Sequence, residues 1–219
     1  MNFVFVSPHF PKSYWNFCDR LKKNGVNVLG LADVPYDDLS WELKNCLTEY
    51  YKVNNLEDYD EVVRAIGYFT HKYGKIDWIE SNNEYWLELD AKVRRDFNIS
   101  TGMKAEEIGS FKSKSAMKAF YKQANVPVAR HHMVSANKEE AFAFIEKVGY
   151  PVIVKPDIGV GAAKTYKLKS EADIHAFYNE LPNIQYIMEE FIEGTIVSFD
   201  GISGNEAEVI FGTSNEFPP

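Results

Sequence analysis

The chain has 219 residues, 45% of them hydrophobic and 26% charged, with a formal net charge of −8, the balance of a folded protein of one or two domains. That charge speaks against nucleic acid, whose phosphates are held by clustered Lys and Arg; the short basic runs Arg20 to Lys23 and Lys92 to Arg95 read as solvated helix faces. Cys18 and Cys46 stand in no metal-ligand spacing and read as reduced thiols of a cytoplasmic protein, the N-terminus lacks a secretory signal pattern, and no apolar run approaches the ~20 residues of a membrane span.

In chain order, Phe3 to Val6 is a short apolar run and predicts a buried strand. Ser13 to Lys23 predicts a helix, with Tyr14, Phe17, Cys18 and Leu21 at helical spacing and Asn24-Gly25 closing it. Val26 to Leu31 and Tyr50 to Val53 predict strands, Asp58 to Tyr73 a helix stopped by Gly74, Ile76 to Ile79 a strand, and Asn83 to Phe97 a helix. Strand alternating with helix predicts parallel βαβ units and an open sheet. Lys104 to Gly109 and Ser113 to Ala124 predict two more helices, so a domain boundary is expected near residues 98–112, with domains at 1–103 and 104–219. The second half predicts a strand at Ala129 to Val134, a helix at Lys138 to Val148, and strands at Tyr150 to Val154 and Thr165 to Leu168. A helix at Glu171 to Leu181, a strand at Tyr186 to Phe191 and a hairpin from Ile196 to Phe211 follow.

Ligands of open α/β sheets sit beyond the carboxyl ends of the strands. Those ends carry Ser7 to Phe10, Ala32-Asp33 and Ser81 to Glu84, and none is a GxGxxG turn. The first half is therefore Rossmann-like in pattern without the dinucleotide fingerprint, which argues against an NAD-dependent oxidoreductase. His9 stands at this edge as a substrate candidate. Asn82 and Glu84 fit either an acceptor-orienting role or an ordinary helix start. His131 and His132 fall on one predicted strand, so they point to opposite faces and do not chelate one metal together.

The sharpest feature is VIVKPDIGVGAAKTYKL, residues 152–168. A strand delivers Lys155 at its carboxyl end. Gly159, Gly161, Ala162 and Ala163 follow, and a second strand returns. Glycines let backbone N–H groups approach an anion, and the lysine adds a point charge, so the layout suits a flap over a triphosphate. An ordinary hairpin with a surface lysine has the same local pattern. GxxxxGK[ST] is absent, which excludes a Walker A site.

Two neighbouring blocks bear on that choice: FKSKSAMKAFYKQANVPVARHHMV at 111–134 and YIMEEFIEGTIVSFDG at 186–201. In this order and spacing the three blocks resemble the ATP-grasp superfamily, which includes biotin carboxylase, carbamoyl-phosphate synthetase and the D-alanine–D-alanine ligases. The likeness covers residues 110–203 well and the first hundred more loosely. It implies an α/β fold: a Rossmann-like domain, then an ATP-grasp small subdomain and the beginning of the large one. It implies ATP held by Lys114, with Lys112 the competing choice, and by Lys155. Gly159, Gly161, Ala162 and Ala163 match the mobile phosphate loop. Adenine would meet the backbone C=O of Glu190 and N–H of Ile192, with the Glu189 carboxylate near the N6 or ribose edge and Phe191 alternating toward the core. For the whole protein it implies an ATP-dependent, carboxylate- or bicarbonate-activating ligase acting through an acylphosphate, on small-molecule carboxylate and amine substrates, without nucleic-acid or membrane partners, and it admits a homodimer. Nothing in the residues identifies biotin.

Two departures accompany the resemblance. Ile196 stands where many relatives place a ribose-binding glutamate. The magnesium ligands of the family, an acid and a later Glu-x-Asn-like pair, have no counterpart before Pro219; neither Asp200 nor Glu216 matches by position. The expectation is therefore a truncated, inactive ATP-binding portion with its magnesium ligands beyond Pro219. A non-catalytic nucleotide-binding or regulatory module is the alternative.

Overall fold

The structure, a computed structural model, describes residues 1–159, 164–204 and 206–217. By internal contacts the chain divides into two units: Met1–Ala124 with Ile158 and Gly159, and Asn125–Asp157 with the described residues from Lys164 onward.

The first unit runs β1 (Asn2–Val6), α1 (Trp15–Lys23), β2 (Asn27–Ala32), α2 (Trp41–Cys46), β3 (Glu49–Lys52), α3 (Tyr59–Tyr73), β4 (Trp78–Glu80), α4 (Leu87–Asp96), α5 (Gly109–Lys112) and α6 (Lys114–Gln123). The four strands are parallel, in the order β3-β2-β1-β4. β1 is buried along its whole length, as a strand must be when both faces of a parallel sheet are covered; hence the continuous apolar run in place of alternation. Val4 and Val6 share a core with Val62, Ile66 and Phe69 of α3. Phe3 and Phe5 share the opposite core with Cys18, Leu43 and Cys46. Each such side chain, fully buried, contributes about 1.5–3 kcal/mol. The Asp58 carboxylate caps α3 by accepting from the N–H groups of Asp60 and Glu61, and Gly74 ends it at φ 85°.

Several expected boundaries move. α2 was not anticipated: six residues are too few to display a period, and the helix is started by Ser40, whose Oγ accepts from the Leu43 N–H at 3.2 Å. The helix expected from Asn83 opens as a 3-10 turn, Glu84–Trp86, because the Asn83 side chain accepts from the Tyr85 N–H. The expected helix at 104–109 is a run of turns, with α5 starting only at Gly109.

The second unit contains β5 (His131–Met133), α7 (Lys138–Val148), β6 (Val152–Pro156), β7 (Tyr166–Leu168), α8 (Glu171–Asn179) and β8 (Tyr186–Glu190), followed by the hairpin β9 (Ile196–Ser203) and β10 (Val209–Phe217). β5, β8, β6 and β7 form one antiparallel sheet in that order. Val152, Val154, Leu168, Tyr186 and Met188 pack with Ala141 and Ile145 of α7 and with Ile174 and Phe177 of α8. Strand alternation therefore turns Ile153, Lys155, Ile187 and Glu189 to the second face. β9 and β10 pair antiparallel as a separate two-stranded sheet. No helix among the described residues is long and apolar enough to cross a membrane.

Candidate functional site

The register of the four-stranded sheet assembles a row of side chains, three of them polar. His131 lies opposite Glu189, Glu189 opposite Ile153, and Ile153 opposite Lys167. All four belong to the face turned away from α7 and α8. One step along, Lys155 lies opposite Ile187. The Lys155 ammonium reaches diagonally to Glu189, with Nζ 2.7 Å from Oε2; the two side chains are 28% and 10% exposed. A nearly buried carboxylate thus fixes a partly exposed ammonium, and the pair is stronger for its seclusion from solvent.

Glu190, next along β8, points to the opposite face. Arg130 brackets its carboxylate, with Nη2 at 2.6 Å and Nε at 2.7 Å, and the Arg130 backbone N–H adds a third bond at 2.7 Å. Arg130 in turn donates Nη1 to the Lys147 carbonyl at 3.0 Å. The two adjacent glutamates therefore answer to different cations, as the two-residue period of a strand requires. Phe191 is not in the core as expected. β8 ends at Glu190, and Phe191 is half-buried with the Lys167 ammonium 3.4 Å from its ring centroid, a cation–π contact. Ile192 is 63% exposed, and among the described residues its backbone N–H has no hydrogen-bond partner.

In the first unit, Lys114 is the first residue of α6, whose N-cap Ser113 accepts from the Ala116 N–H at 3.1 Å. Its Nζ donates to the Gly159 carbonyl at 3.1 Å. Gly159 has φ 145°, a conformation that favours glycine. Lys112 is engaged elsewhere, with Nζ 3.0 Å from Glu88 Oε1. Gly161, Ala162 and Ala163 lie outside the described residues.

The substrate-side candidates are dispersed along the carboxyl edge of the parallel sheet. His9 is half-buried; burial holds its imidazole below the ordinary value, and the Asp33 carboxylate opposes that shift. Asn82 adopts φ 51°, and its carbonyl accepts from the Tyr14 hydroxyl. Glu84 is exposed in the turn that opens toward α4.

Sequence reasoning missed two groups. Lys167 was hidden because its role on the second face follows only from the pairing register. The other is a buried cluster at the end of β4. Asp90 is fully buried and accepts from the Ser81 N–H at 3.0 Å and the Ser81 hydroxyl at 2.6 Å. Arg94, 2% exposed, donates to the Ile79 carbonyl at 2.7 Å and to Glu80 Oε2 at 2.8 Å. Burial pushes the Asp90 carboxyl up to about 7, with Glu80 adding to the rise and the Ser81 donors and Arg94 opposing it. The spacing of Asp90 and Arg94, one helical turn apart on α4, was the available signal.

Residues 111–217 match the family model of the ATP-grasp domain. The L-arginine-specific L-amino acid ligase of Bacillus subtilis is 36% identical over 99 residues, which cover 45% of this chain and 24% of that protein. Among solved structures, N5-carboxyaminoimidazole synthetase from Staphylococcus aureus, complexed with ADP, superposes with a TM-score of 0.72 at 17% identity over 98% of this chain and 54% of that one. The biotin carboxylase domain dimer of 2-oxoglutarate carboxylase from Hydrogenobacter thermophilus, in complex with MgADP, ADP and bicarbonate, gives a TM-score of 0.75 at 19% identity over 95% of this chain and 48% of that one. At these identities the structural likeness speaks to the fold, and the chain spans about half the length of those structures. The match over residues 111–217 identifies the second half of the chain, with its antiparallel sheet, as an ATP-grasp domain.

Proposed function

We propose that the protein is an ATP-dependent ligase that activates a carboxylate, or bicarbonate, for attack by an amine. The observation that carries this reading is the Lys155–Glu189 pair on the second face of the antiparallel sheet. A cation anchored by a secluded carboxylate is pre-oriented, and fixed charge aimed at a phosphate stabilises phosphoryl transfer without reorganisation. In this reading Lys114 and Lys155 meet the phosphates, and Gly159, Gly161, Ala162 and Ala163 form the covering loop. The Glu190 carbonyl and the Ile192 N–H receive adenine, with Glu189 beside it. The exposed, unpartnered N–H of Ile192 supports the donor half of that assignment. His9, Asn82 and Glu84 belong to the substrate side. The ATP-grasp domain is taken as 104–219, after a substrate-side domain at 1–103, so that α6 with Lys114 belongs to the nucleotide half.

ATP supplies the γ-phosphoryl group that makes the carboxylate an acylphosphate, from which an amine displaces phosphate. The chain's own part is electrostatic: the lysines hold charge and no protein nucleophile is needed. Among the described residues no three His, Cys, Asp or Glu side chains converge on one point; magnesium, which one or two carboxylates hold together with nucleotide phosphates, would accompany ATP in this reading. Small-molecule carboxylate and amine substrates and a cytoplasmic location go with this reading.

Calorimetric titration with ATP tests it. The expected result is saturable binding that weakens at least about ten-fold in Lys155→Ala. Unchanged affinity in a variant whose circular dichroism matches the parent would remove Lys155 from the site and the reading with it. A second reading, a nucleotide-binding module without catalysis, is favoured by Ile196, an apolar side chain 70% exposed on β9 where the resemblance implies a ribose-binding carboxylate. ATP binding without phosphate release across a panel of carboxylates and amines would support that second reading.

A further inference from the structure

The first unit contains a cavity of about 360 Å³ between the segment that follows β1 and the start of α2. It lies beyond the carboxyl end of β1, the edge at which open parallel sheets hold ligands, and its volume falls at the small end of metabolite sites. Ser7, at φ 53°, turns the chain out of β1 while its N–H stays bonded to the Leu31 carbonyl at 2.8 Å. A left-handed non-glycine residue at such an edge is a local cost that the surrounding structure must hold in place.

The walls combine two kinds of chemistry. Phe10, Trp15 and Leu43 are apolar, and Lys12 and Asp38 are charged. Among the described residues neither the Lys12 ammonium nor the Asp38 carboxylate has an ion-pair or hydrogen-bond partner, and the two do not pair with each other. Opposite charges that line one cavity without meeting are the counter-charges of a zwitterion. His9 also lines the cavity, and its Nδ1 is buried without a hydrogen-bond partner. Burial lowers the pKa of its imidazole, against the Asp33 carboxylate, and its ring nitrogens add polarity to the wall.

We propose that this cavity binds a free α-amino acid with an apolar or aromatic side chain. The carboxylate faces Lys12, the ammonium faces Asp38, and the side chain lies against Phe10, Trp15 and Leu43. The inference rests on the reading of the first unit as the substrate side of a ligase, and it narrows the substrate class to a molecule that carries both a carboxylate and an amine.

The test is a calorimetric titration of the chain with L-phenylalanine, with 3-phenylpropionate, which lacks the ammonium, and with L-phenylalaninamide, which lacks the carboxylate. Saturable binding of L-phenylalanine is expected, with each analogue about ten-fold weaker, the usual loss for one charged hydrogen bond. Lys12→Met should bring L-phenylalanine down to the level of the amide while leaving the amide unchanged. Asp38→Asn should do the same relative to 3-phenylpropionate. No saturable binding of L-phenylalanine overturns the proposal, as does equal affinity for all three probes, which would mark a merely apolar cleft. An ATP titration of the same sample keeps the two readings apart. ATP binding without amino-acid binding sinks this proposal alone, and amino-acid binding without ATP binding sinks the ligase reading alone.

Discussion

Two buried or nearly buried carboxylates, Glu189 and Asp90, show how the same side-chain type is set to different tasks by its neighbours. Glu189 is matched by the Lys155 ammonium at 2.7 Å. Removing that ammonium takes a counter-charge from a poorly solvated carboxylate, at a cost of about 1–3 kcal/mol, so a folding control belongs beside any Lys155 binding experiment. Asp90 has the Ser81 donors on one oxygen, while its Oδ1 is buried without a partner. Burial raises its carboxyl from 3.8 to about 7. The folded state therefore holds the proton more tightly than the unfolded state does. The resulting stability is fully present below about pH 4 and is lost as the pH rises toward and through 7, with a slope of at most about 1.4 kcal/mol per pH unit. Urea midpoints measured from pH 4 to 8 should fall more steeply for the parent than for Asp90→Asn. Identical pH profiles would mean that Asp90 does not titrate in this window.

At the scale of the element, helix α6 places Lys114 in its first turn, and Ser113 starts that turn by accepting from the Ala116 N–H. Ser113→Ala is expected to cost about 1 kcal/mol and to speed hydrogen exchange at Ala116 more than in α3. Equal exchange rates would show that the cap does not hold the turn. The hairpin of β9 and β10 leaves Phe199 on one face, and Ile202 and Phe211 on the other, each more than half exposed, apolar surface of the kind that drives association. Phe199→Ser combined with Phe211→Ser should lower the sedimentation coefficient at high protein concentration while leaving that at low concentration unchanged; a concentration dependence equal to the parent's would exonerate this surface. The long helices and the buried strands of the parallel sheet were legible because local signals suffice for them: the continuous apolar run of β1, the Asp58 cap and the Gly74 stop of α3. α2 was not, because six residues carry too little period. Phe191 was misplaced because the alternation rule was carried one residue past the end of β8.

For the whole molecule, the alternation of strand and helix that predicts the parallel sheet was visible in the sequence, as was the strand that carries Lys155. What the sequence withheld is tertiary in origin. The row joining His131, Glu189, Ile153 and Lys167 depends on the register of four strands whose order in the sheet, β5-β8-β6-β7, differs from their order in the chain. The Ser81, Asp90 and Arg94 cluster depends on α4 packing at the end of β4, and the cavity beside His9 on the segment after β1 meeting the start of α2. Local periodicity encodes none of these.

The unequal distribution of a few residue types between the two units has a practical optical and chemical outcome. Trp15, Trp41, Trp78 and Trp86, and the buried thiols Cys18 and Cys46, all lie within Met1–Ala124. Indole emission and thiol alkylation therefore report on the first unit alone. The antiparallel sheet with Lys155 and Glu189 is silent to both, and its melting is followed by tyrosine or amide signals, so an indole-monitored transition describes half of the chain.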